Sequence, residues 1–268
     1  MSIIDQLNSR SIYDYMIIFL VTLNIVSNVY LNVFSFSNPT SFFQSWIRLI
    51  AVPAFAALLD LGIKYFVLKK PIALPKTALI SGLFVAGILD PTAPIYVHFI
   101  AAFFAILSKH TLKFASRNIF NPAGFGITLT GLIFTYLLKT PIVGSWWIGA
   151  TLLVIPFGLY ISYRIQKLPM TFAFFIIYPI LAIFTLKLSI TQVLDPSFLS
   201  GYFFFSAFML VEPKTTPYTF KAMILAGLIV AILSAVSPVF LPTTEFTLIS
   251  LMLMNLFKDV LDEKLPDE

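Results

Sequence analysis

Two stretches of the chain carry the same punctuation: Ser81–Pro94 reads SGLFVAGILDPTAP, and Ser200–Pro217 reads SGYFFFSAFMLVEPKTTP. Each opens on Ser-Gly, runs apolar, and closes on an acid, a proline, a threonine and a final proline. The second carries three more residues before its acid, nearly one helical turn. Helix-breaking prolines inside apolar sequence free backbone N–H and C=O groups, and at membrane depth such groups persist only when buried in protein or turned toward a ligand or water. Asp90-Pro91-Thr92-Ala93-Pro94 and Glu212-Pro213-Lys214-Thr215-Thr216-Pro217 therefore read as irregular turns offering Thr92, Thr215, Thr216 and backbone amides. The competing reading is an interfacial loop where one proline ends a helix and the next begins another.

The sequence around these turns is that of a membrane protein. Of 268 residues, 59% are hydrophobic and 11% charged, and the mean hydropathy is +0.95. A water-soluble domain of this size carries more charge than that. A spanning helix needs about 20 mainly apolar residues. Runs bounded by Pro, Gly, Asn and charge divide the chain into ten segments: 12–36, 46–67, 77–89, 93–107, 122–138, 146–162, 169–187, 198–211, 218–237 and 241–257. The third, fourth and eighth are short, as half-membrane helices are. The polar N-terminal MSIIDQLNSR and the long first apolar run predict no cleavable signal peptide.

Counting loops from a cytoplasmic N-terminus places fourteen of the 17 Lys and Arg on the inner side. Only Arg48, Lys139 and Lys187 fall outside. The bias fits ten spans with both termini in the cytoplasm of a cell (inner) membrane. It also accounts for the net charge of +5 without nucleic-acid binding. The two punctuated stretches lie five segments apart. Five is odd, so Asp90 would face outward and Glu212 inward. The expected fold is thus an all-α integral membrane protein of about ten transmembrane helices in two inverted five-helix repeats. It forms a single polytopic domain, 1–268, with halves 1–140 and 141–258 and a short cytoplasmic tail, 259–268.

Asn121-Pro122-Ala123 is a third signal. Asn is a good N-cap and Pro suits the first helical position, so the fifth segment should start at Pro122. A helix N-terminus attracts anions, and Ser108, Lys109, His110, Thr111, Lys113, Arg117 and Asn118 lie just upstream. The cluster suits a phosphate or the electron-rich edge of a flavin; equally, it reads as a positive-inside loop beside a cap. Water channels use the same tripeptide twice in a six-span fold, and one copy here fails that count. Zero cysteines exclude disulfides and thiolate-held iron–sulfur clusters. Asp60 and Lys64, one turn apart, read as a pair near the inner end of the second segment. Trp146 and Trp147 read as interfacial anchors or stacking partners, and the 29 Phe form no discrete cofactor box.

The run LDPTAPIYVHFIAAFFAILSKHTLKFASRNIFNPAGFG resembles the family that includes the D subunit of Rnf electron-transport complexes and the B subunit of the sodium-pumping NADH:quinone reductase. Matching positions are Pro91, Thr92, Ala93 and Pro94, then Lys109, then Asn118, Phe120, Asn121, Pro122 and Ala123. A second family signature, Thr-Asp-Pro-x-Thr-Ser-Pro, is similar to Val211–Pro217. The match spans about residues 77–221. The resemblance implies ten helices in an inverted repeat related to urea and ammonium transporters. It also implies non-covalent flavin, FMN or riboflavin, held in the bilayer. The Asn118–Ala123 segment, with Lys109, would form one wall, and the Glu212–Pro217 turn, with Thr215 and Thr216, a symmetry-related one. Thr92 lies in the mirrored turn. Electrons would pass to quinone, an extracytosolic flavoprotein or other electron-transfer subunits. The family's Gly-rich approach is replaced here by TLKFASR. The nearest string to its flavinylation motif, SWWIGATLL, lacks the Asp and Ser, so Thr151 is not assigned as an attachment site. The alternative is an inverted-repeat transporter for a small polar solute such as riboflavin, and a weaker one is a scaffold subunit without ligand.

Overall fold

The computed structural model describes residues 11–34, 39–114, 117–139, 142, 149–240 and 246–267. Trp146 and Trp147 lie outside them. A helix occurs in each of the ten apolar runs. In chain order these are α1 (Ile12–Phe34), α2 (Pro39–Gly62), α3 (Lys76–Ile88), α4 (Ile95–Thr111), α5 (Pro122–Leu132), α6 (Thr151–Arg164), α7 (Leu168–Thr185), the single turn α8 (Ile190–Val193), α9 (Pro196–Phe204), α10 (Phe220–Phe240), α11 (Phe246–Asn255) and α12 (Lys258–Lys264). Ile63–Val67, Ile133–Leu137 and Phe205–Met209 continue α2, α5 and α9 as π-helix. The described residues also hold an antiparallel strand pair, Lys113–Phe114 against Arg117–Asn118.

Four helices are long and apolar enough to cross a membrane, over Ile12–Val33, Phe43–Val67, Leu168–Thr185 and Phe220–Phe240. Five shorter helices are also apolar. The thirteen residues of α3 rise only about 20 Å, short of a bilayer core of about 30 Å.

On two of the long helices many small or polar residues face inward and large apolar ones face outward. On α10 the buried face is mostly small, with Ala222, Ala226, Gly227, Ala231, Ser234 and Ala235 beside Met223 and Val230, whereas Leu225, Ile232, Val236 and Val239 are exposed. On α1 the stripe Ile18, Val21, Ile25, Val29 and Val33 points outward, and Asn24, Ser27 and Asn28 point in. Such apolar stripes would drive aggregation in water. Facing lipid, they leave the small residues to bring helix backbones together. The folded chain is therefore an all-helical protein of membrane type.

Packing pairs α1 with α3, α2 with both α3 and α4, α3 with α5, and α4 with α5. Further along, α6 packs on α9, α7 on the Phe205–Met209 turn and on α10, and α10 on α11. Between these groups α1 packs on α6 and α5 on α11.

Both punctuated stretches break the helix. Backbone turns extended at Leu89, the Asp90 N–H bonds Ile142 O at 2.8 Å, and Asp90 Oδ1 accepts from the Thr92 N–H and hydroxyl, each at 2.7 Å. In the second, Glu212 O accepts from Thr215 N at 3.1 Å and from Thr216 Oγ1 at 2.7 Å. The N-terminus of α10 is then closed from the far end of the chain. Asp262 accepts from the Tyr218 and Thr219 N–H groups at 2.9 and 3.0 Å, and Asp267 from Phe220 N–H at 2.8 Å. Carboxylates suit a helix N-terminus.

Candidate functional site

A cleft with a cavity volume of about 90 Å³, part of it open to the surface, lies where α1, α3, α4, α5 and α6 meet the Glu212 turn. One part of its wall is apolar, with Phe84, Phe208, Ile80, Ile161 and Met16. The other is polar, with Thr77, Ser81, Lys109, Asn121, Glu212 and Lys214. Thr77 stands at the start of α3 and Asp90 just beyond its end. The two broken turns therefore sit at opposite ends of α3, and only the Glu212 turn reaches this cleft.

Asn121 closes the first turn of α5 as expected. Its Oδ1 accepts from Gly124 N at 3.0 Å, while its Nδ2 donates to Met209 O at 3.2 Å. The same amide therefore caps a helix and ties it to the π stretch before Glu212. Asn255, oriented to satisfy its neighbours, accepts from Asn121 N–H at 3.2 Å and donates to Thr215 O at 3.0 Å. Lys258 Nζ adds bonds to Asn118 O at 2.7 Å and Lys214 O at 2.9 Å. Arg117 reaches Pro213 O at 3.2 Å. These bonds fasten the Asn-Pro-Ala segment to the Glu-Pro-Lys turn, two motifs about 90 residues apart in sequence. Replacing Asn121 with Ala should cost about 1–3 kcal/mol, because a cap is lost and the buried Met209 carbonyl is left unpaired; chemical denaturation of the purified protein measures it.

Lys109 is the cleft's best-anchored cation. Its Nζ donates to Asp60 Oδ1 at 2.8 Å and to Thr77 Oγ1 at 2.7 Å. Asp60 is fully buried and also holds Lys64 at 2.7 Å and His110 Nε2 at 2.8 Å. The expected Asp60–Lys64 pair is thus half of a larger node. It joins α2 to the end of α4 and fixes Lys109 at the rim.

Glu212 is half-buried beside these cations. Burial pushes its carboxyl up to about 7, against the opposing pull of Lys214, Thr215, Lys258 and Lys109. A carboxyl raised in the folded state binds protons that the unfolded chain has already released. Its contribution to stability is present below the usual glutamate range and is lost as pH rises through about 7. Wild-type stability should fall across that window, and Glu212→Gln should flatten the fall; denaturation midpoints between pH 5 and 8 test this.

Of the residues singled out from sequence, Lys109, Asn121 and Pro122 line the cleft. Ala123 and Asn118 are buried behind it. Phe120 stacks on Phe125, ring centroids 5.7 Å apart. Thr215 and Thr216 are fully buried and turn back onto Glu212, shaping the loop. Thr92 is exposed at the far end of α3. Sequence reasoning named the Glu212–Pro217 turn as a wall, from which Glu212 and Lys214 line the cleft, but missed Thr77 and Ser81 as lining residues. Ser81 and Glu212 were already marked, as the first residue of one punctuated stretch and the acid of the other. Comparison of the chain with models of known protein families gives no match, and comparison with curated proteins gives none.

Proposed function

We propose that the chain is a transmembrane electron-transfer subunit that holds flavin, FMN or riboflavin, without a covalent bond, and passes electrons to a quinone or an extracytosolic flavoprotein. The observation that carries this reading is the two-faced cleft. Its aromatic and aliphatic wall suits a flat apolar ring, and its Lys109–Asn121–Lys214 side suits a hydrogen-bonding, electron-rich edge. A bound flavin would supply the electron chemistry that no side chain here offers. Lys109 and Lys214 bring positive charge to the polar side, where added electron density would be stabilised. Glu212 can hold or release a proton near neutral pH beside them. Phe84 and Phe208 restrict water on the opposite wall.

The proposed architecture is two inverted five-helix repeats. Helices α1–α5 pair first with third, second with third, second with fourth, and fourth with fifth. The set α6, α7, α9 with its π extension, α10 and α11 repeats those pairings, and first meets first and fifth meets fifth between sets. A pseudo-two-fold relation between halves accounts for this pattern. The placement in the cell (inner) membrane with both termini cytoplasmic, and the kinship with the Rnf and sodium-pump subunits, belong to the same proposal.

A visible spectrum of the detergent-purified protein tests it. Bound yellow flavin that bleaches with dithionite is the expected result, and Phe208→Ala should weaken flavin retention at least tenfold. Colourless protein that neither binds added FMN nor riboflavin would overturn the reading. The second reading, a transporter for a small polar solute such as riboflavin, draws on the cleft's partial opening to the surface. It predicts uptake into proteoliposomes with no bleachable chromophore.

A further inference from the structure

At the other end of the bundle, in the part of α2 remote from Asp60, lies a cation with no ion pair among the described residues. Arg48 is 4% exposed, and its Nε and Nη1 have no hydrogen-bond partner among the described residues. Asp90 acts on it through space. No ion pair joins them, and Asp90 Oδ1 is already bonded to Thr92. The Arg48 charge also acts through space on His98, 1% exposed, in the first turn of α4. Its Nε2 has no partner, and its Nδ1 lies 3.5 Å from Pro94 O, too long for a firm bond. No side chain caps that turn, which Pro94 begins.

A buried guanidinium with open N–H groups is costly unless something neutralises it. An uncapped helix N-terminus favours negative charge at the same place. The contrast with Asp60 is instructive: there, one buried carboxylate gathers three basic side chains within 2.8 Å. Among the described residues, Arg48 has His98 and an open helix end near it, and the Asp90 carboxylate, bonded through Oδ1 to Thr92, acts on it only through space. A bound anion would complete the open N–H groups that the described residues leave there.

We propose that Arg48, His98 and the open first turn of α4 bind a small anion, a halide or a phosphate-type oxyanion. This does not rest on the flavin reading, since the cleft lies at the other end of α3. A free ion and a lipid phosphate share this chemistry, and the test separates them. Full-length protein in a neutral detergent and sodium gluconate is titrated with chloride, with inorganic phosphate, and with phosphatidylglycerol added to the micelles, at constant ionic strength. The expected result is a saturable rise in melting temperature in one arm, and that arm names the source. In Arg48→Gln and His98→Gln the half-saturating concentration should rise at least tenfold, while Lys187→Gln, an exposed cation elsewhere, should behave as wild type. If Arg48→Gln does not fold, His98→Gln and the wild-type titrations decide. No saturable response of the wild type in any arm, or the same response in wild type, His98→Gln and Lys187→Gln, would overturn the proposal.

Discussion

Replacing Asp60 with alanine should cost about 3–5 kcal/mol of stability, because it strands cations that the fold has placed around one buried carboxylate. Asp60 is fully buried, with Lys64, Lys109 and His110 all bonded to it at 2.7 to 2.8 Å. Removing it leaves Lys109 with Thr77 as its remaining bonded partner. For a chain of this length the loss corresponds to roughly 10 °C in melting temperature. Asp60→Asn retains the shape and some hydrogen bonding, so it should cost less. The order Ala worse than Asn, read from thermal unfolding in detergent, is the check. If the two variants and wild type melt together, the node contributes nothing measurable. Lys109 sits at the cleft's rim, so Asp60→Ala should also loosen whatever binds there.

The second large effect is expected at Gly126. A Cβ placed there collides with the Ala101 carbonyl oxygen and comes within 2.9 Å of the Ala105 Cβ. The obstacle is backbone, which cannot swing aside as a side chain tip can. Gly126→Ala should therefore force α4 and α5 apart at a cost of about 3 kcal/mol, and Gly126→Val should cost more. Crosslinking between cysteines introduced on the two helices would report the separation. Gly124, two residues earlier, is the control: its nearest neighbours would lie 3.6 Å from a new Cβ, ordinary contact, so Gly124→Ala should be nearly silent.

Much of the fold was legible because membrane helices write themselves in apolar runs. The short third and fourth segments and the breaks at Asp90 and Glu212 came from proline placement, whose backbone consequences are local. The start of α5 at Pro122 was equally local, a cap and a first-turn proline. The π stretch at Phe205–Met209 was not legible as such. The three additional residues of the second punctuated stretch fall in that copy, but nothing in FSAFM distinguishes π from α. The hairpin at Lys113–Asn118 was likewise invisible, two strands of two residues each with no alternation to read.

The candidate site was half legible. Motif matching found Lys109, Asn121 and Pro122. It could not show that Asn121's amide is occupied by Gly124 and Met209, or that Thr215 and Thr216 turn inward to hold Glu212. The Met209 partner lies 88 residues away, and the bonds of Thr215 and Thr216, though only three and four residues long, depend on how the turn closes. The node on Asp60 shows the same limit, because the i,i+4 spacing revealed Lys64 and concealed Lys109 and His110.

The distance along the chain between those partners matters during synthesis. Ribosomes deliver the N-terminal part first, so Asp60 emerges about 50 residues ahead of Lys109 and His110. Lys64 follows within one turn, and for that interval it is Asp60's only basic companion from the finished node. Its role is then that of an escort, needed most while the second helix enters the lipid alone. Substituting Lys64 would therefore be felt more in the yield of inserted protein than in the melting of molecules that have already matured.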